Sequence, residues 1–382
     1  YDQNCHFFLA HWFRDNYDKF CSILLLVSSG INITRIEVWV TNKRGDYSQS
    51  RHVLAFMDAG ENRRLANSHW VPNTSAAVPS NLSNNLFTEL NTSYPDARYM
   101  EQVATTLEPL SAYGFEGGRD YEKVESARLL SSQEYTLNAS LGYISLKSAL
   151  NADEVLAVAY QYTYKGQTYQ VGEFAGDVTS TKSSLYVKLL KGTTISNKLP
   201  MWDLAMKNIY SLGAYQIQSS NFKLNIKYMS DTTGTYINYL PAGNISGTPL
   251  IRVMNLDRLD SNNQPNPDGR FDYIEGYTIN ASSGKVIFPV VEPFGKHLAA
   301  KIGNPAIAEK FVYQELYDST LTVARQFQDK NKFILEGEYQ ASSGAQIRLN
   351  AMNVARGSVV VTAGGVTLTE NSDYTVDYNM GI

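Results

Sequence analysis

The clearest hydrophobic pattern in the chain lies at 141–174, LGYISLKSALNADEVLAVAYQYTYKGQTYQVGEF. Val155, Ala157 and Ala159 alternate with Leu156, Val158 and Tyr160, and both sets are apolar, which predicts a strand over 155–164 covered on both faces. A turn at 151–153 precedes it. Lys165-Gly166 makes a two-residue corner because Gly166 can adopt positive φ, and a returning strand follows at 168–174. The expected fold is organised around this buried hairpin.

Upstream, residues 4–20 place Leu9, Phe13, Tyr17 and Phe20 at helical spacing, with Phe8 and Trp12 beside them, which predicts one amphipathic helix. Residues 31–41 alternate strictly, with Ile31, Ile33, Arg35, Glu37, Trp39 and Thr41 on one face of a strand. A polar turn at 42–50 leads to a second strand at 52–57. From 61 to about 121, Asn, Ser, Thr and Pro dominate. This predicts an irregular linker or wrapping segment, with Leu65, Leu86 and Leu90 anchoring short helical turns.

Strand pattern resumes at 135 and continues to 185–190. Residues 200–212 read as a short helix that starts at Pro200 and stops at Gly213. Strands are expected at 222–228 and 235–240, with strand-like pieces at 271–279 and 285–291. A helix is expected over 306–327, burying Phe311, Val312, Leu316 and Tyr317. The tail carries strands at 332–339, 345–350, 358–362, 366–369 and 374–378, a hairpin series of the immunoglobulin-like kind that turns at Gly364-Gly365. The fold class is therefore mainly β with a few helices (α+β), built from antiparallel β-sandwich or immunoglobulin-like modules. Four units are expected: 1–60, helix plus β-hairpin; 61–130, irregular linker or wrapping segment; 131–300, central β-rich domain; 301–382, helix followed by immunoglobulin-like β-hairpins, cut short.

Composition narrows the function classes. A chain of 382 residues exceeds a single core, and 43% hydrophobic content is ample for burial. Only 18% of residues are charged while 26 are Tyr, a balance common in exported β-proteins. The net charge of -4, with no basic cluster, argues against a nucleic-acid partner. No run approaches the 18 or so apolar residues of a transmembrane helix. Opening without Met and stopping just after the strand-like TVDY, the chain is expected to be a piece of a longer polypeptide.

Candidate chemistry is sparse. Cys5, His6, His11 and Cys21 match no structural zinc spacing and fit a packed aromatic helix, on which the two thiols would stand about 24 Å apart and stay free. Glu154 and Glu173 flank the central hairpin as solvated strand ends. The stretch NLDRLDSNNQPNPDGRFD is richer: Asp257, Asp260, Asn262, Asn266, Asp268 and Asp272 offer hard oxygen ligands at short intervals, and Asp268-Gly269 permits a sharp turn. Two readings stand, a structural Ca²⁺ loop and an Asx-rich turn that satisfies its own backbone. Pro265 and Phe271 occupy the positions where an EF-hand needs Gly and Glu.

Several blocks carry a family resemblance: FFLAHWFRDNYD, GINITRIEVWVTNKRGDYSQSRHVLAFMD, the hairpin stretch above, LPMWDLAMKNIYSLG, LIRVMNLDRLDSNNQPNPDGRFDYIEGYTI, GKVIFPVVEPFG and SVVVTAGGVTLTENSDYTVDYNMG. In this order they resemble the SprA/Sov family, the very large outer-membrane translocon of the type IX secretion system of Bacteroidetes, linked in gliding species to motility. The resemblance implies an internal segment of a giant single-chain β-barrel that exports folded, C-terminally tagged cargo, located at the outer membrane or cell surface. It implies three partners: a smaller barrel at a lateral opening, a periplasmic plug protein and the secreted cargo. It brings no catalytic residue and no cofactor.

Lipid-facing strands need about 9–11 residues of apolar-out, polar-in alternation. Residues 31–41 and 222–228 come nearest, but Arg35 and Glu37 charge the first and the second is short, so water-exposed domains are expected, on either the periplasmic or the extracellular side. The competing reading is a free-standing extracellular β-sandwich that binds carbohydrate or an adhesive partner through Trp39, Trp70, Trp202 and Tyr113. An exported hydrolase is the third reading.

Overall fold

A computed structural model of the chain describes residues 1–23, 25–341, 347–349 and 351–382. The fold is mainly β with several sheets and short helices, an α+β arrangement. The N-terminal segment is not one helix: strand β1 (His6–Phe8) precedes helix α1 (His11–Phe20). Asp2, Leu9 and Met206 tie this entry into neighbouring backbone, and β1 pairs with 143–145, far along the chain; these long-range bonds override the helical spacing of the first turn.

Strands β2 (Ile31–Val40) and β3 (Arg51–Phe56) follow, then helices α2 (Leu86–Ser93) and α3 (Val103–Leu107). After them come β4 (Tyr121–Leu129), β5 (Tyr135–Asn138), β6 (Tyr143–Leu146), β7 (Leu156–Tyr164), β8 (Gln167–Val171) and β9 (Leu185–Lys191). The hairpin β7–β8 turns at Lys165-Gly166, both with positive φ, as the two-residue corner requires. Along its length β7 pairs with β2, and its other edge takes β8 and then β9. β9 runs parallel to β3, β3 pairs with β4, and β4 returns to β2 through Trp39–Leu129 and Val40–Arg128. The strands β2, β4, β3, β9 and β7 therefore close a ring.

Both faces of this ring are covered by protein. Val53 and Ala55 face a core with Val187, Leu189 and Val158. Leu54, Phe56 and Tyr186 face a second core with Trp70, Leu86, Leu90, Leu107 and Phe115. Residues 65–115 supply that second cover, and 121–129 are β4 of the ring itself. Their polar side chains hold chain to chain: Asn84 Nδ2 donates to the carbonyls of Asp58 (2.8 Å) and Glu61 (2.7 Å), and Asn81 bonds both polar groups of Gly172. The ring also draws strands from both sides of the boundaries expected at 60 and 130, so those boundaries do not separate cores.

A register shift between Ile33 and Arg35 changes the face of β2. Strict alternation would put Arg35 and Glu37 beside Ile31. The bulge instead turns Ile36, Val38 and Val40 inward after Ile31 and Ile33.

The second half is built on β10 (Ile209–Ser211), β11 (Ile217–Met229), β12 (Tyr236–Ile237), α4 (Leu250–Val253), β13 (Ile279–Asn280), β14 (Lys285–Ile287) and α5 (Leu298–Ile302). Helices α6 (Pro305–Phe311), α7 (Glu315–Asp318) and α8 (Leu321–Ala324) and strand β15 (Phe333–Ala341), which pairs with β11, complete it. Leu224, Ile226, Leu250, Phe288, Phe294 and Leu298 lie in its core. The helix expected at 200–212 is a single 3₁₀ turn, Pro200–Leu204, followed by β10, because 206–209 join backbone bonds to His6 and Phe288. The helix expected at 306–327 is broken twice. Val312 is extended at the end of α6, and Thr320 starts α8 by accepting from Val323 N–H.

In the tail, β16 (Thr362–Ala363) and β17 (Val366–Thr367) pair across Gly364-Gly365, both at positive φ. The strand expected at 345–350 falls largely outside the described residues.

Candidate functional site

Helix α1 lies between the ring and the second half, and its charged side chains bond to both. Its N-cap, Ala10, has no side-chain acceptor, and the acceptor comes from fifty residues away: Glu61 Oε1 takes the His11 N–H at 3.1 Å. The same oxygen is 3.2 Å from Lys188 Nζ and 3.1 Å from His11 Nδ1. Lys188 also donates to the Met57 carbonyl, and His11 Nε2 lies 2.6 Å from the Pro200 carbonyl. All three side chains are buried. Burial alone would raise the Glu61 carboxyl, but Lys188 and His11 hold it well below the usual carboxylate range. Beside them, burial raises Asp58 to about 6 against the pull of the Ala66 and Asn67 N–H groups it accepts.

Along the polar face of α1, Arg14 donates to Glu292 at 2.9 Å, and Asp18 accepts from Val291 N–H at 2.8 Å. Glu292 also accepts from Gln314 and Lys296. Arg64 bridges Asp15 (2.7 Å) and Asp203 (3.2 Å). Next to these pairs a cavity of about 10 Å³, room for a single water, is lined by Phe8, Arg14, Asp203, Lys207, Asn208 and Glu292. Lys207 Nζ donates to the carbonyls of Trp202 (2.8 Å) and Ala205 (3.1 Å) and sits over the Trp202 ring. Burial lowers its pKa to about 7, with Asp203 pulling the other way.

The sign of that shift sets a prediction. Between about 7 and the ordinary lysine value of 10.5 the unfolded chain holds a proton that folded Lys207 has lost. Its contribution to stability is complete above 10.5 and is lost as pH falls to 7, at up to about 1.4 kcal/mol per pH unit. Urea titrations at pH 7, 8 and 9 are expected to show stability rising relative to Lys207→Met; parallel profiles would mean that Lys207 stays protonated.

The acidic loop serves its own backbone. Asp257, fully buried, accepts from the N–H groups of Asp268 (2.9 Å) and Gly269 (3.1 Å) and pairs with Arg252 at 3.1 Å. Asp260 accepts from Asn262 and Gln264 N–H, Asp268 from Arg270 N–H, and Asp272 from Arg258 and Leu259 N–H. Asn266 bonds through its backbone N–H to the Gln264 carbonyl. With an arginine on the central carboxylate, the side chains as placed fit the Asx turn. Among the described residues no group of three or more His, Cys, Asp or Glu side chains is arranged to hold a metal. The melting midpoint is expected to be the same in millimolar Ca²⁺ and in chelator; a Ca²⁺-dependent midpoint would reinstate the ion.

The aromatic platform is not assembled. Trp39 and Trp70 are each 1% exposed in the core, and Trp202 donates its Nε1–H to the Tyr317 carbonyl at 2.7 Å. Of the four, Tyr113 alone is exposed, and it lies against His69. Cys5 and Cys21 are free and buried. Glu173 is not a solvated strand end: Arg98 binds it at 2.6 and 2.7 Å.

Sequence pattern missed Glu61, Lys188 and Lys207. A signal was present for Lys188, a lone charge inside the apolar run LYVKLL. The chain matches no protein-family model and no curated protein. Among the described residues no helix is long and apolar enough to cross a membrane.

Proposed function

We propose that the chain is a non-enzymatic segment of an outer-membrane protein translocon of the type IX secretion kind, acting as scaffold and interaction surface for the export of folded proteins. The ordered blocks that resemble the SprA/Sov family support this reading. The observation that carries it is the charged seam of α1, where Arg14, Asp18, Glu61, Lys188 and Glu292 are spent on joining segments far apart in sequence. Such groups fix distant segments against one another and leave the outer surface for partners. In this role the exposed tail, with its β16–β17 hairpin, belongs to an immunoglobulin-like extension, and the ring is a water-exposed unit of the larger barrel protein, on its periplasmic or extracellular side. The partners are the smaller barrel, the periplasmic plug and the cargo.

Two measurements test the proposal. In detergent-free buffer the chain is expected to elute as a folded monomer with one cooperative melt. Immobilised, it is expected to bind saturably either the plug protein or a folded cargo protein carrying its C-terminal signal. Folding only in detergent, or no binding to any of the three partners, would overturn it.

A further inference from the structure

Away from the α1 seam, three side chains form a linear relay. His6 in β1 stands directly opposite Ser145 in β6. Its Nδ1 is 2.7 Å from Ser145 Oγ, and its Nε2 is 3.0 Å from Asp2 Oδ2. Lys285 Nζ, 2.8 Å away, fixes Asp2 from the other side. Burial would raise Asp2, but the bonds from His6 and Lys285 bring it down to about 2, so it is ionised at neutral pH. Burial keeps His6 below its ordinary value despite Asp2, which favours the neutral ring.

The tautomer follows from these partners. An ionised carboxylate only accepts, so Nε2 carries the proton, and Nδ1 keeps a lone pair to accept the Ser145 hydroxyl. This is the order of a serine, its base and an orienting carboxylate, with the two imidazole nitrogens exchanged. The relay also reaches solvent. Ser145 is half-buried, and on its other side it pairs with Thr136 of β5, which is exposed. From buried His6 the row therefore runs outward across three strands.

We propose that Ser145 is an activated nucleophile and a site of covalent modification by activated acyl donors such as thioesters or aryl esters. Ser145 Oγ attacks the acyl carbonyl carbon while its proton passes to His6 Nδ1. The carbon–sulfur or carbon–oxygen bond to the leaving group then breaks, and the leaving group takes that proton from the imidazole. The products are an ester on Ser145 and a free thiol or phenol, with nothing oxidised or reduced. The Ser145 backbone is paired on both sides in the middle strand of its sheet, and the modification is a single event without turnover.

The probe is a fluorophosphonate, with labelled peptides mapped by mass spectrometry, followed by 4-nitrophenyl acetate to detect the acyl ester. Ser145 of the folded chain is expected to label on the order of 100-fold faster than the same residue in urea, the range of a positioned general base. Ser145→Ala should remove that label while keeping the melt. Asp2→Asn should slow labelling by freeing the ring to turn. Equal Ser145 rates in folded and unfolded chain, or a rate no faster than that of exposed serines, would overturn the proposal and leave the relay as a cross-strand bond. Because the comparison within the wild-type chain needs no variant, a misfolded mutant does not blunt the test.

Discussion

Replacing Lys188 by methionine is expected to lower stability by roughly 3–5 kcal/mol, the cost of leaving a buried charge without its partner. Lys188 is wholly buried, and its ammonium lies 3.2 Å from Glu61 Oε1. Methionine fills most of the same volume, so little of the loss comes from packing. It comes from Glu61, whose carboxylate would keep only His11 as a favourable neighbour inside the ring wall.

The pH dependence separates this cause from a packing defect. In the native chain Glu61 is held below its ordinary value, so its contribution is present above about pH 4.5 and is lost as pH falls further. Without Lys188, burial dominates and the sign reverses, so the variant should regain stability as pH falls and Glu61 takes up a proton. Adding Glu61→Gln to Lys188→Met should recover part of the loss, since an amide oxygen can still accept the His11 N–H. Urea denaturation of the three proteins at pH 5 and 8 decides it. A Lys188→Met chain within 1 kcal/mol of the native one would show that Lys188 does not neutralise Glu61.

How much of this was legible in the sequence differs from element to element. The β7–β8 hairpin was, because apolar residues at consecutive positions demand cover on both faces and Lys165-Gly166 fixes the corner. Which element covers which face was not. The cover over Leu54, Phe56 and Tyr186 comes from the Asn- and Ser-rich stretch, where side-chain amides replace regular backbone pairing and composition alone reads equally as linker or wrapping segment. Local spacing predicted a helix at 4–8 and at 206–211, where partners distant in the chain draw the backbone into strands. The bulge in β2 had no local sign, since its purpose is to turn Val38 and Val40 inward and leave Arg35 at the surface.

The acidic loop at Asp257 to Asp272 was found, and of its two readings the Asx-rich turn was the one the sequence favoured. A run of Asp and Asn looks alike whether the donors it meets are N–H groups or an ion. The Asp2–His6–Ser145 relay left no trace in spacing, because 139 residues separate its histidine from its serine.

Phe13 of α1 and Gly142, in the turn between β5 and β6, meet so closely that their substitutions should not add. Phe13 is fully buried, with ring centroids 6.1 Å from Tyr160 and 5.9 Å from Tyr162. Its truncation to alanine is expected to cost about 3–5 kcal/mol, the range for a buried phenylalanine whose surroundings cannot collapse. Tyr160 and Tyr162 are held in β7 between β2 and β8, so the space would remain open. Gly142 has φ of 70°, its carbonyl accepts the Leu9 N–H at 3.0 Å, and a Cβ there would overlap the Phe13 ring.

Gly142→Ala therefore carries two penalties, about 1–2 kcal/mol for a side chain in the left-handed region and a further cost for displacing Phe13. In the Phe13→Ala background the second penalty disappears and the new methyl enters the space the ring has left. The double variant should then be more stable than the sum of the singles predicts by roughly 1–3 kcal/mol. Urea midpoints of the four proteins measure the coupling. Additivity to within about 0.5 kcal/mol would mean that the two groups do not touch.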